Sequence, residues 1–265
     1  MSDIVFGFIL GLVQGLTEFL PVSSSGHIEL AQYILGIDSL GEDDLSLTIL
    51  VHIATALATI FVFRNDIFQI LKEIFSGENP SGRLFASKII ISMVPAVIVG
   101  MVFEEQLDEF FSGKIGFVSA MLLVTACLLL LADKVKVTDR EVGWKDAFII
   151  GVAQAIAILP GISRSGATIS TSVLLNIDRT KAARFSFLMV VPLILGKVGK
   201  DMMSGEVYFR SADSALLLTA FITAFFVGVF ACRWMISLVQ RSKLVIFAVY
   251  CAVIGSIGLV HLFIK

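Results

Sequence analysis

Residues 14–27 read QGLTEFLPVSSSGH, and they stand inside a hydrophobic segment. An apolar run, IVFGFILGLV (4–13), precedes them, and IELAQYILGI (28–37) follows. A carboxylate, three consecutive hydroxyls, a proline and a histidine are costly in such surroundings. An ionisable group at the centre of a bilayer costs about 2.5–3.5 kcal/mol on insertion scales. Pro21 ends a helix, because it has no N–H to donate and its ring crowds the preceding turn. The serines and glycine of 23–26 favour a turn. Neither flank reaches the ~20 apolar residues that a comfortable span needs. Broken backbone at membrane depth is tolerated only inside protein or against a water-filled cavity. The segment of about 4–35 therefore reads as a re-entrant helix–loop–helix hairpin with this polar stretch at its tip.

The rest of the chain has the composition such a hairpin requires. Of 265 residues, 57% are hydrophobic and 16% charged, and the mean hydropathy is +0.94. That is too little charge to cover a soluble surface, so the chain is expected to be a polytopic membrane protein. The net charge of -2, without a basic block, gives no reason to expect a nucleic-acid partner. Cys127, Cys232 and Cys251 are scattered through apolar runs, a spacing that suits packing rather than zinc or disulfides. The opening MSDIVF lacks the positive region of a signal peptide, so the first segment is expected to remain in the mature chain.

Six runs read as spanning helices: about 45–63, 88–103, 115–132, 185–200, 212–232 and 244–264. A second interrupted region, about 147–175, resembles the first. GFILGLVQ (7–14) lies over AFIIGVAQ (147–154), SSSG (23–26) over SRSG (163–166), and LSLTI (45–49) over FSFLM (185–189), all at an offset of 140. The expected fold is all-α: a single membrane domain, 1–265, built from an inverted repeat. Repeat 1 covers about 1–132 and repeat 2 about 146–265, each with one re-entrant hairpin and three transmembrane helices. Three spans per half would invert the second copy.

Loop charge orients the chain. The segments 64–88, 133–145, 176–184 and 233–243 carry 14 Lys and Arg; the opposite set carries five, and the remaining one is Arg164. The positive-inside rule places the first set in the cytoplasm. The acidic segments 36–44 and 104–111 then face outward, hairpin one enters from outside, and hairpin two enters from inside. Their tips are expected to meet near the midplane. Inverted repeats with broken helices are also a transporter signature, so a carrier of a polyprenyl phosphate or another anion is the alternative. A non-catalytic scaffold would explain the composition but not the charges at membrane depth.

Gln14 and Glu18, four apart, share one helix face. Ser23, Ser24, Ser25 and Gly26 form the turn, and a helix starting near His27 would offer free N–H groups to an anion. In the second copy, Pro160 and Gly161 lead into Ser163, Arg164, Ser165 and Gly166. Arginine binds phosphate oxygens in a bidentate fork and stays charged. A structural ion pair between Glu18 and Arg164 would account for those two charges, but not for His27 or the serines. His52 reads as a packed or hairpin-supporting histidine rather than a ligand, and His261 as interfacial. Gln154, the counterpart of Gln14, is expected to pin helices. Glu104, Glu105, Asp108 and Glu109 read as a solvated face.

QGLTEFLPVSSSGH and LPGISRSGATIS resemble the two signature motifs of the undecaprenyl-diphosphatase family, the bacitracin-resistance membrane phosphatases. The resemblance extends to length, span number and duplication. It implies a hydrolase of the bacterial inner membrane that removes the terminal phosphate of undecaprenyl diphosphate and recycles the carrier for cell-wall synthesis. Carried onto this sequence, Glu18, Ser24, His27 and Arg164 would be catalytic, with His27 or Ser24 as nucleophile or water attacking directly. Gln14, Ser23, Ser25, Gly26, Ser163, Ser165 and Gly166 would bind substrate. The resemblance implies a divalent cation, Mg²⁺ or Ca²⁺, with Glu18 as its ligand. Many members carry glutamate where this chain has Gln14, which argues against a two-carboxylate metal site. The expected partners are the polyprenyl diphosphate lipid and the bilayer, with a homodimer left open. The active site is expected to open to the outer face.

Overall fold

The computed structural model describes residues 3–27, 42–76, 79–103, 115–136, 138–204 and 214–264. Every element among them is an α-helix. Asp3–Thr17 is α1, followed by a turn and a short helical stretch at 24–27. The next helices are Glu42–Val62 (α2), Arg64–Ser76 (α3), Ser81–Val102 (α4) and Ile115–Asp133 (α5). Trp144–Ile156 (α6) and Arg164–Leu174 (α7) form the second hairpin, and Arg179–Ser204 (α8), Ser214–Gln240 (α9) and Val245–Ile264 (α10) complete the chain.

The chain is all-α, as expected. Each of the six expected spans falls on one long helix. Among the described residues, α4, α5, α8 and α9 are long and apolar enough to cross a membrane. Large apolar side chains on them face outward, among them Ile90, Met101, Phe226 and Phe230 at 63–68% exposure. Lipid is the environment that tolerates such surfaces. The first hairpin's expected residues 28–35, the segment 104–111, most of 36–44 and the side chain of His261 lie outside the described residues.

One expectation needs correction. The segment 64–88 reads as a loop, but it contains α3 and the start of α4. In α3, Asp66, Ile67, Ile70, Glu73 and Ile74 are half-buried, while Phe68, Leu71 and Phe75 are exposed. The helix joins α4 through Glu73, which accepts from Gln69 Nε2 at 2.9 Å and from Ser81 Oγ at 2.6 Å. These two hydrogen bonds hold the Glu73 carboxyl below its ordinary range.

The chain divides into two compact units that do not follow the repeat boundaries. In the first (1–20, 24–62 and 190–235), Phe6 and Leu10 of α1 pack with Leu47, Val51 and Ala54 of α2 and with Leu216, Ala220 and Ala224 of α9. Glycines make this packing close. A Cβ on Gly7 or Gly11 would overlap the carbonyl oxygen of Leu216 or Ala220, and one on Gly15 would come within 2.9 Å of Ala224 O. Small residues let helix backbones approach where the membrane supplies no hydrophobic drive between helices.

The second unit (21–23, 63–189 and 236–265) holds the second hairpin. Here α5 packs against α10, with Gly255 over the Ser119 backbone. Asp146 starts α6: its carboxylate accepts from Gly143 N at 2.8 Å and from Arg140 Nη2 at 3.1 and 2.8 Å. Arg179 is 4% exposed and donates through Nη2 to Ala132 O, Asp133 O and Val135 O, capping the end of α5. Cys232 and Cys251 are buried free thiols, and Cys127 is exposed.

Candidate active site

The first cluster is built on the end of α1. The helix continues one turn past Thr17, with Glu18 N bonded to Gln14 O at 3.0 Å and Leu20 N to Leu16 O at 3.1 Å, before Pro21 stops it. This keeps Gln14 and Glu18 on one face. Gln14 is 0% exposed and Glu18 9%. Gln14 Nε2 donates to Glu18 Oε2 at 3.1 Å. Ser23, at φ 72°, reverses the chain in a left-handed conformation that few side-chain-bearing residues adopt. The reversal brings Ser24 back, and Ser24 Oγ donates to Glu18 Oε2 at 2.9 Å. Ser25, Gly26 and His27 continue the helical stretch, all half-buried.

α2 adds a residue that the sequence underweights. His52 Nε2 lies 3.9 Å from Glu18 Oε2, and its Nδ1 bonds Thr48 O at 2.7 Å. A carbonyl only accepts, so Nδ1 carries a hydrogen and Nε2 is the nitrogen that can gain or lose one beside Glu18. His52 thus faces the Glu18 carboxylate directly. No short-range signal could have shown this, because 34 positions separate the two and the rotation of α2 sets the contact.

The second cluster is the turn of the second hairpin. Gly161, at φ 91°, takes a conformation open to glycine, and its missing side chain leaves room for Val118 O. Ser163 caps α7, its Oγ accepting from Gly166 N at 3.1 Å and lying 3.3 Å from Ser165 Oγ. Thr125 of α5 pins the turn: its Oγ1 accepts from Ser163 N at 3.1 Å and donates to Gly161 O at 3.3 Å. A single threonine in an apolar run gave no hint of this role. Arg164 occupies the first position of α7, half-buried, beside buried Ser165.

Residues 21–23 belong to the second unit, where Pro21 packs against the second turn. A Cβ on Gly166 would sit 3.2 Å from Pro21 Cβ, and Cys251 Sγ bonds Pro21 O at 3.5 Å. The copies have diverged chemically. At the offset of 140, Ile158, Ala167 and Pro192 stand where Glu18, His27 and His52 stand, and Arg164 replaces Ser24. Titratable groups belong to the first copy and the fixed cation to the second.

The family model described as bacitracin resistance protein BacA matches residues 7–257, which include both clusters. The chain belongs to the BacA family. It is 61% identical over 253 residues to an undecaprenyl-diphosphatase of Christiangramia forsetii, covering 96% of each chain. It is 44% identical to one of Bacteroides fragilis, covering 95% of this chain and 96% of that one. It is 39% identical to one of Korarchaeum cryptofilum, covering 96% and 97%. Both polar stretches lie within the matched residues, and the polar side chains around Glu18 are Gln14 and Ser24 of the first stretch and His52 of α2.

The residues present also fit a divalent cation. Gln14 Oε1 is fully buried with no hydrogen-bond partner, next to the Glu18 carboxylate. Mg²⁺ and Ca²⁺ take oxygen ligands, including carboxylates and amide carbonyls. No group of three or more His, Cys, Asp and Glu side chains gathers among the described residues. A cation here would therefore take much of its shell from water and substrate.

Proposed function

We propose that the chain hydrolyses the phosphoanhydride of undecaprenyl diphosphate, giving undecaprenyl phosphate and inorganic phosphate and returning the lipid carrier to cell-wall synthesis. The observation that carries this reading is the Ser24–Glu18 hydrogen bond in a chain of the BacA family. A hydroxyl that donates to a buried carboxylate is set up to lose its proton as it attacks phosphorus. In the covalent route the Ser24 oxygen attacks the terminal phosphorus, Glu18 takes the proton, and the bond to the bridging oxygen breaks with undecaprenyl phosphate leaving. Water then releases phosphate from the serine. In the direct route Glu18 takes the proton from water. His52, whose Nε2 faces Glu18, positions the carboxylate and can hold the proton afterwards. His27 is the acid for the leaving oxygen. Arg164 holds the phosphate oxygens and takes up the charge that develops on them, the main lever in phosphoryl transfer. Ser23, Ser25, Gly26, Ser163, Ser165 and Gly166 complete the phosphate seat.

Glu18 and Gln14 Oε1 would hold Mg²⁺ or Ca²⁺, which when bound offsets diphosphate charge. The family resemblance supports a location in the bacterial inner membrane, and the loop-charge bias supports a site that opens to the outer face. The test is phosphate release by purified protein in detergent, where transport cannot occur. Release from undecaprenyl diphosphate supports the reading. Binding without release would favour the carrier alternative.

A further inference from the structure

The two hairpins are seated differently, and the difference leaves a groove. α1 lies against α9 at three successive glycines, Gly7, Gly11 and Gly15. At the same offset α6 has Ala147, Gly151 and Ala155, so only the middle position is a glycine. There α6 meets α4 closely: a Cβ on Gly151 would overlap Ser92 O. Three residues further along, Pro95 interrupts α4. It has no N–H, so Ile91 O loses its helical partner and the helix is free to bend. Near the C-terminal end of α4, a Cβ on Gly100 would meet only Ile158 Cδ1, at 4.0 Å. Between these levels lies an apolar groove of about 560 Å³. Pro95 and Ile98 of α4 line one wall, Phe148, Val152 and Ile156 of α6 the other, and Leu159, just past α6, lines it too.

Leu159 connects the groove to the turn of the second hairpin. Leu159 is followed at once by Pro160 and Gly161, and Arg164 is five residues on. An occupant with its anionic head at Arg164 would have its apolar tail beside Leu159. The groove has the size of a small-ligand cleft (~300–1,000 Å³), so it accommodates part of a long chain and leaves the remainder in the bilayer.

We propose that the groove between α4 and α6 is the prenyl-chain subsite, holding the isoprene units nearest the diphosphate of the lipid substrate. The assignment rests on the phosphatase reading above. Its contribution is to binding of ground and transition states alike, since the groove touches no reacting atom. Filling it should therefore raise KM and leave kcat unchanged.

The experiment uses the full chain in detergent with farnesyl diphosphate as the probe. Val152→Trp and, from the opposite wall, Ile98→Trp both replace partly exposed side chains, and thermal melting checks that each folds. In either folded variant KM should rise about tenfold with kcat within about twofold. Unchanged KM in the folded variants overturns the proposal while the phosphatase reading stands. A separate binding arm does not depend on turnover. Val152→Cys, in a background lacking the three native cysteines, should be protected from a maleimide by farnesyl diphosphate and not by inorganic diphosphate. No protection by farnesyl diphosphate, or equal protection by both, overturns it. Protection without phosphate release from any prenyl diphosphate would retain the subsite and refute the phosphatase reading.

Discussion

Ser24 Oγ gives its single hydrogen to Glu18 Oε2, 2.9 Å away, and Gln14 Nε2 donates to the same oxygen. The carboxylate is therefore both ordered by its neighbours and within reach of a nucleophile. Glu18→Gln keeps the shape but removes the base and the charge. Turnover should fall by about 10³-fold, within the ~10²–10⁴ range of general acid–base catalysis, with thermal melting close to the parent. Normal phosphate release by Glu18→Gln would remove the carboxylate from the mechanism.

Ser24→Ala separates the two routes of attack. If Ser24 forms the covalent intermediate, activity falls to the level of Glu18→Gln, and no phosphate becomes bound to protein in an acid quench. Activity within about tenfold of the parent would assign the attack to water.

Arg164→Lys keeps the charge and loses the planar fork. Phosphate release should drop on the order of 10²-fold, the scale of removing one transition-state donor. Near-parent kcat/KM would reduce Arg164 to a structural ion.

Gln14→Glu adds a second carboxylate at the buried oxygen that now lacks a partner. The variant should remain active, with a steeper dependence on Mg²⁺ or Ca²⁺ and a lower concentration for half-activation. EDTA should abolish turnover in both proteins, and titrating the cation back is the measurement. Identical cation curves would dissociate residue 14 from the metal.

Gly11→Ala places a Cβ against Ala220 O in the α1–α9 contact. Overpacking of this kind costs about 1–3 kcal/mol, visible as a fall in Tm of several degrees. Gly196→Ala, on α8 with nothing within 4 Å, should be neutral or stabilising by up to ~1 kcal/mol, because alanine is the better helix former.

Hydropathy and helix breakers made the broad architecture legible. Pro21, Pro160 and the serine-rich turns marked the hairpins, and the 140-residue offset related them. α3 escaped because its apolar residues are divided between half-buried and exposed positions and separated by polar ones, so no long apolar run announces it. The polar residues around Glu18 were legible where they are close in sequence, as Gln14 and Ser24 are. They were not where a tertiary contact decides, as for His52 on α2 and Thr125 on α5. Sequence spacing carries no information about how far one long helix is rotated against another.

The cap on α5 has a consequence for biogenesis. The carbonyl of Asp133 is satisfied by Arg179, 46 residues later, and its Oδ1 accepts from Leu244 N, 111 residues later. At a synthesis rate of about 5–20 residues per second, that helix end waits roughly two to nine seconds for the guanidinium after it has been made. It waits roughly six to twenty-two seconds for Leu244. The nascent chain thus carries an unfinished terminus through about two-fifths of its own translation, and the second half of the polypeptide completes that helix as it emerges.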